Sequence, residues 1–292
     1  MLIDVVIPCF NQFEQLKITI EAYIQQKTNC KFRLIIIDDG STEIPAYDID
    51  QVCHPLHYYY IRQDNVGRSV ARNTGIKNLK GEYVIFNDSD RPPAPDFIEK
   101  HLSTLLMKNN VISVGSPREI YMSTINPSRI HEIIQGKSSR SRLYPYAKKI
   151  DYLYDENGNT KSSLAWLSTY TGNIAMPTTI AQNELFDEVF SSWGLENLEW
   201  GYRLYHQGFI FHRSYDAVNY HIAHNREMDF YLNNFKISHQ HFCEKYSSRD
   251  ISLLYNFMLG EISLQEYEEK TSGETCIPCD KPQVYFKMGG II

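Results

Sequence analysis

The first 115 residues alternate short apolar runs with segments whose apolar side chains recur at helical intervals. Leu2 to Ile7 is an apolar run ended by Pro8. Residues 12–26 space Phe13, Leu16, Ile20, Tyr23 and Ile24 along one face of a helix. Leu34 to Ile37 has no polar alternation, the pattern of a strand buried on both faces. It runs into Asp38-Asp39-Gly40-Ser41, a turn signal. His57 to Ile61 is aromatic and extended. Gly67 to Leu79 predicts a helix with Val70, Ala71, Thr74 and Leu79 on one side. Tyr83 to Phe86 is another buried strand, followed by Asn87-Asp88-Ser89-Asp90. Pro92, Pro93 and Pro95 then precede a helix predicted from Asp96 to about Lys108, and Val111 to Val114 predicts a further strand.

This alternation predicts an α/β fold with a mostly parallel central sheet flanked by helices. Parallel crossovers are right-handed, and ligands bind beyond the carboxyl ends of the strands. That rule directs attention to three loops, residues 8–12, 38–42 and 87–91. The second half is less regular. Residues 129–149 carry Arg129, Lys137, Arg140, Arg142, Lys148 and Lys149 against one acid, Glu132, with serines and a proline between. They predict a loop or mobile segment that closes over a donor or touches an anionic acceptor. Trp193 to Gly208 turns helical again, and residues 227–268 read as mainly helical. No repeat, low-complexity tract or linker divides the chain, which predicts one composite domain.

Composition narrows the classes. With 292 residues, 42% of them hydrophobic and 22% charged, the chain can bury a sizeable core. A net charge of −6, from 29 Lys+Arg against 35 Asp+Glu, argues against a general nucleic-acid binder, which carries a basic excess. No apolar run approaches the length of a membrane span. The start MLIDVVIPCF lacks a basic n-region, carries Asp4 and reads as a first strand, not a signal peptide, so the cytoplasm is the expected compartment. Six cysteines are too scattered for a disulfide scaffold. Cys276 and Cys279 form a C-x-x-C without the second pair that zinc would need, and are expected to be free thiols.

Five segments carry candidate chemistry. Asp88-Ser89-Asp90 can hold a hard divalent cation, Mn²⁺ or Mg²⁺, against a diphosphate, although D-x-D alone is also an ordinary polar turn. Asp39 can accept from a base N–H, or simply make a turn. Asn65-Val66-Gly67-Arg68 opens a helix that can face phosphate. Glu196 and Glu199 sit three apart at a helix start, where the dipole also favours acids. His221 and His224 are spaced i, i+3.

Taken together, VVIPCFN, IIIDDGS, NVGRSVARN, EYVIFNDSD and WGLENLEWGYRL resemble, in order and spacing, the family 2 glycosyltransferases of the GT-A fold over residues 1 to 225. The last segment is also similar to the W-G-x-E-[DN] element of galactosyl- and N-acetylgalactosaminyl-transferases and of bacterial chondroitin-type polymerases. The resemblance implies a Rossmann-like GT-A domain over 1–225, with a nucleotide-binding half of about 1–115 and an acceptor and catalytic half of about 116–225. Residues 226–292 are left as a helical extension packed on the same domain.

The resemblance also implies site roles. Pro8, Phe10 and Asn11 line a nucleoside pocket, with Asp39 on the base and Asn65 and Arg68 near the base or diphosphate. Asp88 meets the ribose or the metal, and Asp90 binds the metal with His221, preferred over His224. Gly172 and Asn173 lie beside the donor sugar. Trp193 faces sugar and acceptor, and Glu196 or Glu199 is the catalytic base. Two departures stand out. Arg91 replaces a third acid after D-x-D. Asn197 stands where inverting relatives carry the Asp base, and an amide cannot take a proton.

The implied activity is metal-dependent transfer of a hexose or N-acetylhexosamine from a UDP-sugar to a glycan, lipid-linked or other glycoconjugate acceptor, with inversion placed ahead of retention. Peripheral membrane association and homo-oligomerisation stay open. The alternatives are a sugar-1-phosphate nucleotidyltransferase and a non-catalytic sugar-nucleotide or glycan-binding module.

Overall fold

The computed structural model of the chain describes residues 1–288 apart from 44, 46, 108, 191–193 and 224–227. In chain order come β1 (Leu2–Cys9), α1 (Phe13–Ile24), β2 (Lys31–Asp39), α2 (Ile49–Cys53), β3 (His57–Gln63), α3 (Arg68–Lys77), β4 (Tyr83–Asn87), α4 (Phe97–Leu105) and β5 (Val111–Ile120). The second half adds α5 (Pro127–Ile134), β6 (Arg142–Leu143), α6 (Pro145–Ile150), β7 (Asn173–Pro177), α7 (Thr178–Asn183), α8 (Glu196–His206) and β8 (Ile210–Ile222). Three helices follow: α9 (Met228–Lys245), α10 (Arg249–Leu259) and α11 (Leu264–Ser272).

One sheet runs β3-β2-β1-β4-β7-β5-β6, with β8 also pairing with β5. The β3-β2-β1-β4 half is parallel, as the unbroken apolar runs require. β7 enters antiparallel between β4 and β5, and β8 lies parallel to β5. Along the strands, side chains alternate between two cores. Val6, Ile35, Ile37, Val84 and Phe86 face α3, α8 and the C-terminal helices. Val5, Ile7, Leu34, Ile36 and Ile85 face α1 and α4.

The β5–β8 register shifts part-way. Val114 faces Arg213, but Ser116 faces Val218, so β8 carries three more residues than β5 across that step. The strand was not legible from composition because His212, Arg213 and Ser214 are polar yet buried.

The loop expected for residues 129–149 forms only over 135–141; a helix precedes it and a short strand and a helix follow. Asn126 caps α5 through the backbone N–H of Arg129 at 3.1 Å, and Pro127 opens it. Ile130, Ile133 and Ile134 then bury against Ile18 and Ala22 of α1 and Ile120 and Ile222 of the sheet. The basic residues misled because three isoleucines at helical spacing outweigh them. After β6, the turn of α6 buries Tyr146, Ala147 and Ile150.

The helical extension shares the larger core. Phe242 of α9 packs on Trp166 at 6.1 Å, and Phe286 packs edge-on to Tyr146 at 4.9 Å. No helix among the described residues is long and apolar enough to cross a membrane.

Candidate active site

At the carboxyl end of β2, the Asp39 carboxylate accepts hydrogen bonds from Gln63 Nε2 at 2.8 Å, Val66 N at 3.2 Å and Gly67 N at 3.0 Å. Gly40 follows at φ 75°, and a Cβ there would lie 2.5 Å from the Asn65 backbone nitrogen. Glycine is therefore what lets the 65–67 loop close on the strand end. Asn11 ties in the β1 loop: its side-chain oxygen accepts from Thr42 N at 2.9 Å, and its own N–H donates to Ser41 Oγ at 2.9 Å. Phe10 is exposed beside it and Pro8 half-buried. Pro8, Phe10, Asn11, Asp39 and Asn65 thus gather at the carboxyl ends of β1 and β2.

A second cluster joins α3, the D-x-D turn and α8. Arg68 and Arg72 are four residues apart and share a helix face. Arg68 Nη1 donates to Glu196 Oε1 at 3.3 Å and Arg72 Nη1 to the same oxygen at 3.2 Å. Arg72 Nη2 reaches Asp88 Oδ1 at 3.1 Å, and Arg91 Nε reaches Asp88 Oδ2 at 3.3 Å. Burial pushes the Asp88 carboxyl up, but Arg72, Arg91 and Arg68 outweigh it and hold the group below the usual carboxylate range. A Cβ on Gly172 would stand 2.5 Å from both Asp88 Oδ2 and Arg91 Nε, so this ion pair has its room only beside glycine.

Glu196 opens α8. Gly194 at φ 105° and Leu195 at φ 66° turn the chain into the helix. A left-handed leucine costs about 1–2 kcal/mol, and such strain gathers at functional sites. Trp200 anchors the helix on the sheet, 5.4 Å from Phe86. Glu196 is 3% exposed, and its Oε2 has no hydrogen-bond partner among the described residues. It borders a cavity of about 200 Å³ shared with Arg68, Arg72, Asp88, Arg91 and Gly172. Tyr170 lines the same cavity, and its buried hydroxyl is also unpartnered among the described residues. Phe235, Met258 and Phe286 of the extension close the opposite wall.

A third cluster surrounds Asp90. Gln12 Nε2 lies 3.2 Å from Asp90 Oδ2, and His221 Nε2 lies 3.4 Å from the same oxygen. Glu119 Oε1 is 3.6 Å from His221 Nδ1, and Tyr121 donates to Glu119. Burial pulls the imidazole down, yet Asp90 and Glu119 outweigh it and raise His221 above its ordinary value. No three His, Cys, Asp or Glu side chains among the described residues are grouped as a metal cage. Asp90 and His221 are brought together, whereas Asp88 turns to its arginines. Trp193 and His224 lie outside the described residues.

Other expected residues sit elsewhere. Glu199 is fully buried and accepts from Arg203 Nε at 2.9 Å, Lys245 Nζ at 2.9 Å and Tyr246 OH at 2.7 Å, away from the cavity. Asn197 donates to the Thr169 carbonyl at 2.6 Å. Asn173 is buried, with its side chain between His101 at 3.0 Å and Asn219 at 2.8 Å. Arg72, Glu119 and Tyr170 were not anticipated as site residues. The i, i+4 spacing from Arg68 could have found Arg72. Glu119 has no local signal, because it meets His221 through the β5–β8 register.

The sequence profile of glycosyl transferase family 2 matches residues 4–167, more than half of the chain. The chain belongs to glycosyl transferase family 2. Chondroitin synthase of Escherichia coli is 28% identical over 236 residues, which cover 75% of this chain and 34% of that protein. Hyaluronan synthase of Pasteurella multocida is 27% identical over 238 residues, covering 75% of this chain and 24% of that protein. This family 2 chain therefore spans about a third or less of the length of these relatives. The crystal structure of S. aureus TarS 1-349 in complex with UDP-GlcNAc superposes with a TM-score of 0.62 at 14% identity, over 91% of this chain and 77% of that one. That likeness is one of fold, an α/β domain with a mostly parallel sheet and a helical C-terminal region.

Proposed function

We propose that this chain transfers a hexose or N-acetylhexosamine from a UDP-sugar to a hydroxyl of a glycan or glycoconjugate, with inversion at the anomeric carbon. The observation that carries this reading is Glu196. Two guanidiniums hold one of its oxygens, and the other is buried, unpartnered among the described residues and beside the cavity. An unpaired buried carboxylate oxygen is costly unless a ligand group meets it. As the acceptor oxygen attacks the anomeric carbon, Glu196 Oε2 takes the acceptor's proton, and the bond to the diphosphate breaks with its electrons leaving on UDP.

The neighbours fit these roles. Asn197 is committed to the Thr169 carbonyl, and Glu199 to Lys245, Arg203 and Tyr246, which leaves Glu196 as the base of this helix. Arg68, Arg72 and Arg91 set positive charge around the position of the leaving diphosphate. Asp39 has lone-pair capacity left beside its three N–H partners for a base N–H. The convergence of one carboxylate oxygen and one imidazole nitrogen at Asp90 and His221 fits a divalent ion of the Mn²⁺ type, with the remaining positions left to donor phosphates and water. Such an ion, when bound, neutralises charge on the departing diphosphate. The names of the relatives support a polysaccharide setting, and the TarS complex supports UDP-linked donors.

The experiment is UDP release by the purified chain from a panel of UDP- and GDP-sugars with Mn²⁺ and oligosaccharide acceptors. Turnover with a UDP-sugar that Glu196→Gln abolishes is the expected result. Equal turnover by Glu196→Gln, or a preference for GDP-sugars, overturns the proposal.

A further inference from the structure

Four polar side chains, all fully buried, run in line from α4 to the D-x-D turn: His101, Asn173, Asn219 and Asn87. Ser113 stands behind them, its hydroxyl 2.8 Å from His101 Nδ1. His101 Nε2 lies 3.0 Å from Asn173 Oδ1. Asn173 Nδ2 donates to Asn219 Oδ1 at 2.8 Å and to the Ala217 carbonyl at 3.1 Å. Asn219 Nδ2 donates to Asn87 Oδ1 at 2.8 Å and to the Gly172 carbonyl at 2.5 Å. Asn87 Nδ2 donates to the carbonyls of Asp88 and Arg91, both at 3.0 Å.

A primary amide has two N–H donors, and each of the three asparagines uses both. Each amide oxygen accepts from the member before it, so His101 carries its proton on Nε2. The bonds therefore point one way, from the histidine to the turn. Flipping any one amide would set N–H against N–H and oxygen against oxygen, with no exposed surface to relieve it. Gly115 makes room for the line, because a Cβ there would overlap Asn173 Oδ1.

The line ends on functional geometry. Asn87 closes residues 88–91 from within, beside the bond from Arg91 N to the Asp88 carbonyl at 3.1 Å. Past the turn, the chain lies along β8, with Ile222 N on the Asp90 carbonyl at 2.9 Å and Tyr220 N on the Pro92 carbonyl at 3.0 Å. Gly172 stands against Asp88 and Arg91. Asn219 joins the two sides, Asn87 on one and Gly172 on the other. The described lining of the smaller cavity includes Gly172 but none of the three asparagines.

Resting on the transferase function proposed above, we propose that Asn219 is a positioning residue of the D-x-D turn. It holds Asn87 and Gly172 at a fixed separation. Through them it sets the Asp88 carboxylate against its arginines and aims Asp90 toward His221. Asn173 and His101 fix the direction in which the Asn219 amide faces.

Two measurements test this, one of them independent of any ligand. Hydrogen exchange at the Arg91 and Ile222 amides, taken relative to the amides of β2, reads the turn itself. Calorimetric titration with UDP, with and without Mn²⁺, reads the site. Asn219→Leu nearly keeps the volume and removes both donors. It is expected to speed exchange at the two turn amides at least tenfold. It is also expected to weaken UDP binding about tenfold with Mn²⁺ and less without it. Leu105→Ala, in the core between α4 and the sheet, is the control for lost stability. It is expected to lower the melting temperature and leave both quantities as in wild type. Should Asn219→Leu not fold, Asn219→Ser, whose smaller side chain leaves space for a water, is expected to show the same two changes in weaker form. Wild-type values of either quantity in the folded Asn219 variant, or equal changes in Leu105→Ala, overturn the proposal. Failure of UDP to bind wild type instead sinks the transferase function, and the exchange measurement still decides whether Asn219 holds the turn.

Discussion

The β3-β2-β1-β4 half of the sheet and the β7-β5-β8 half position their functional groups by different means. In the first, a buried parallel strand ends and the polar group follows at once. Asp39 is fixed by residues 63–67, within one crossover of its own strand. In the second, each acid depends on partners far along the chain. Glu196 is set by Arg68 and Arg72, Glu119 by His221, and Glu199 by Lys245 and Tyr246. Substitutions near Asp39 should therefore act on binding alone. Those in the second half should separate into chemistry and stability, according to which face of α8 they touch.

The sharpest way to break this division is the pair on α8. Glu196→Gln is expected to lower turnover by about 10²–10⁴-fold with a smaller loss of melting temperature than Glu199→Gln, because Arg72 keeps Asp88, as read by UDP release and thermal unfolding. Glu199→Gln is expected to do the reverse. It strips a buried acid from Arg203 and Lys245, which costs about 3 kcal/mol, or about 6–12 °C in melting temperature, while turnover per folded molecule persists. If both variants lost turnover and neither lost stability, the two faces of α8 would not differ as described.

A smaller effect is expected behind the D-x-D turn. Glu119 touches His221, not the cavity, so Glu119→Gln should weaken Mn²⁺ activation about 10–100-fold without altering UDP affinity in the absence of metal. A metal titration of UDP release reads this directly, and an unchanged midpoint would remove Glu119 from the site.

The smallest effect is a pH slope. His101 is buried against Ser113 and Asn173, and burial pushes its imidazole down to about 3. The unfolded chain binds a proton there below about pH 6.5, and the folded chain does not. The stability from His101 is thus complete above that pH and lost as pH falls toward 3, by about 1.4 kcal/mol per pH unit. Chemical denaturation at pH 7, 6 and 5 should show the slope, and His101→Gln should flatten it.

Much of this was legible in the residues. The parallel half was read from runs such as Leu34–Ile37, because a strand buried on both faces leaves no polar alternation to mistake. The five motif segments pointed to both acids of the D-x-D turn and to Glu196. Within 129–149 the loop is confined to 135–141, because three isoleucines that bury on one side of α5 outweigh the surface charge before it. β8 was missed because its buried polar residues find partners only after folding, as Arg213 does with Asp151. The distinction between Glu196 and Glu199 was likewise out of reach. Spacing places both on α8, but Lys245 and Tyr246, which claim one of them, lie in the extension.

The register step between β5 and β8 has a consequence for how this site could drift. With the three additional residues, His221 stands opposite Glu119. Were every residue kept and the ladder run on without the step, continuing the pairing of Val114 with Arg213 would bring Val218 to that place. Because three is odd, that slip would turn each later side chain of β8 to the other face, with an isopropyl group where an imidazole had been. A three-residue deletion at the step, by contrast, would leave Ser116 opposite Val218 and His221 opposite Glu119, so the extra residues can be lost without moving the nitrogen beside Asp90.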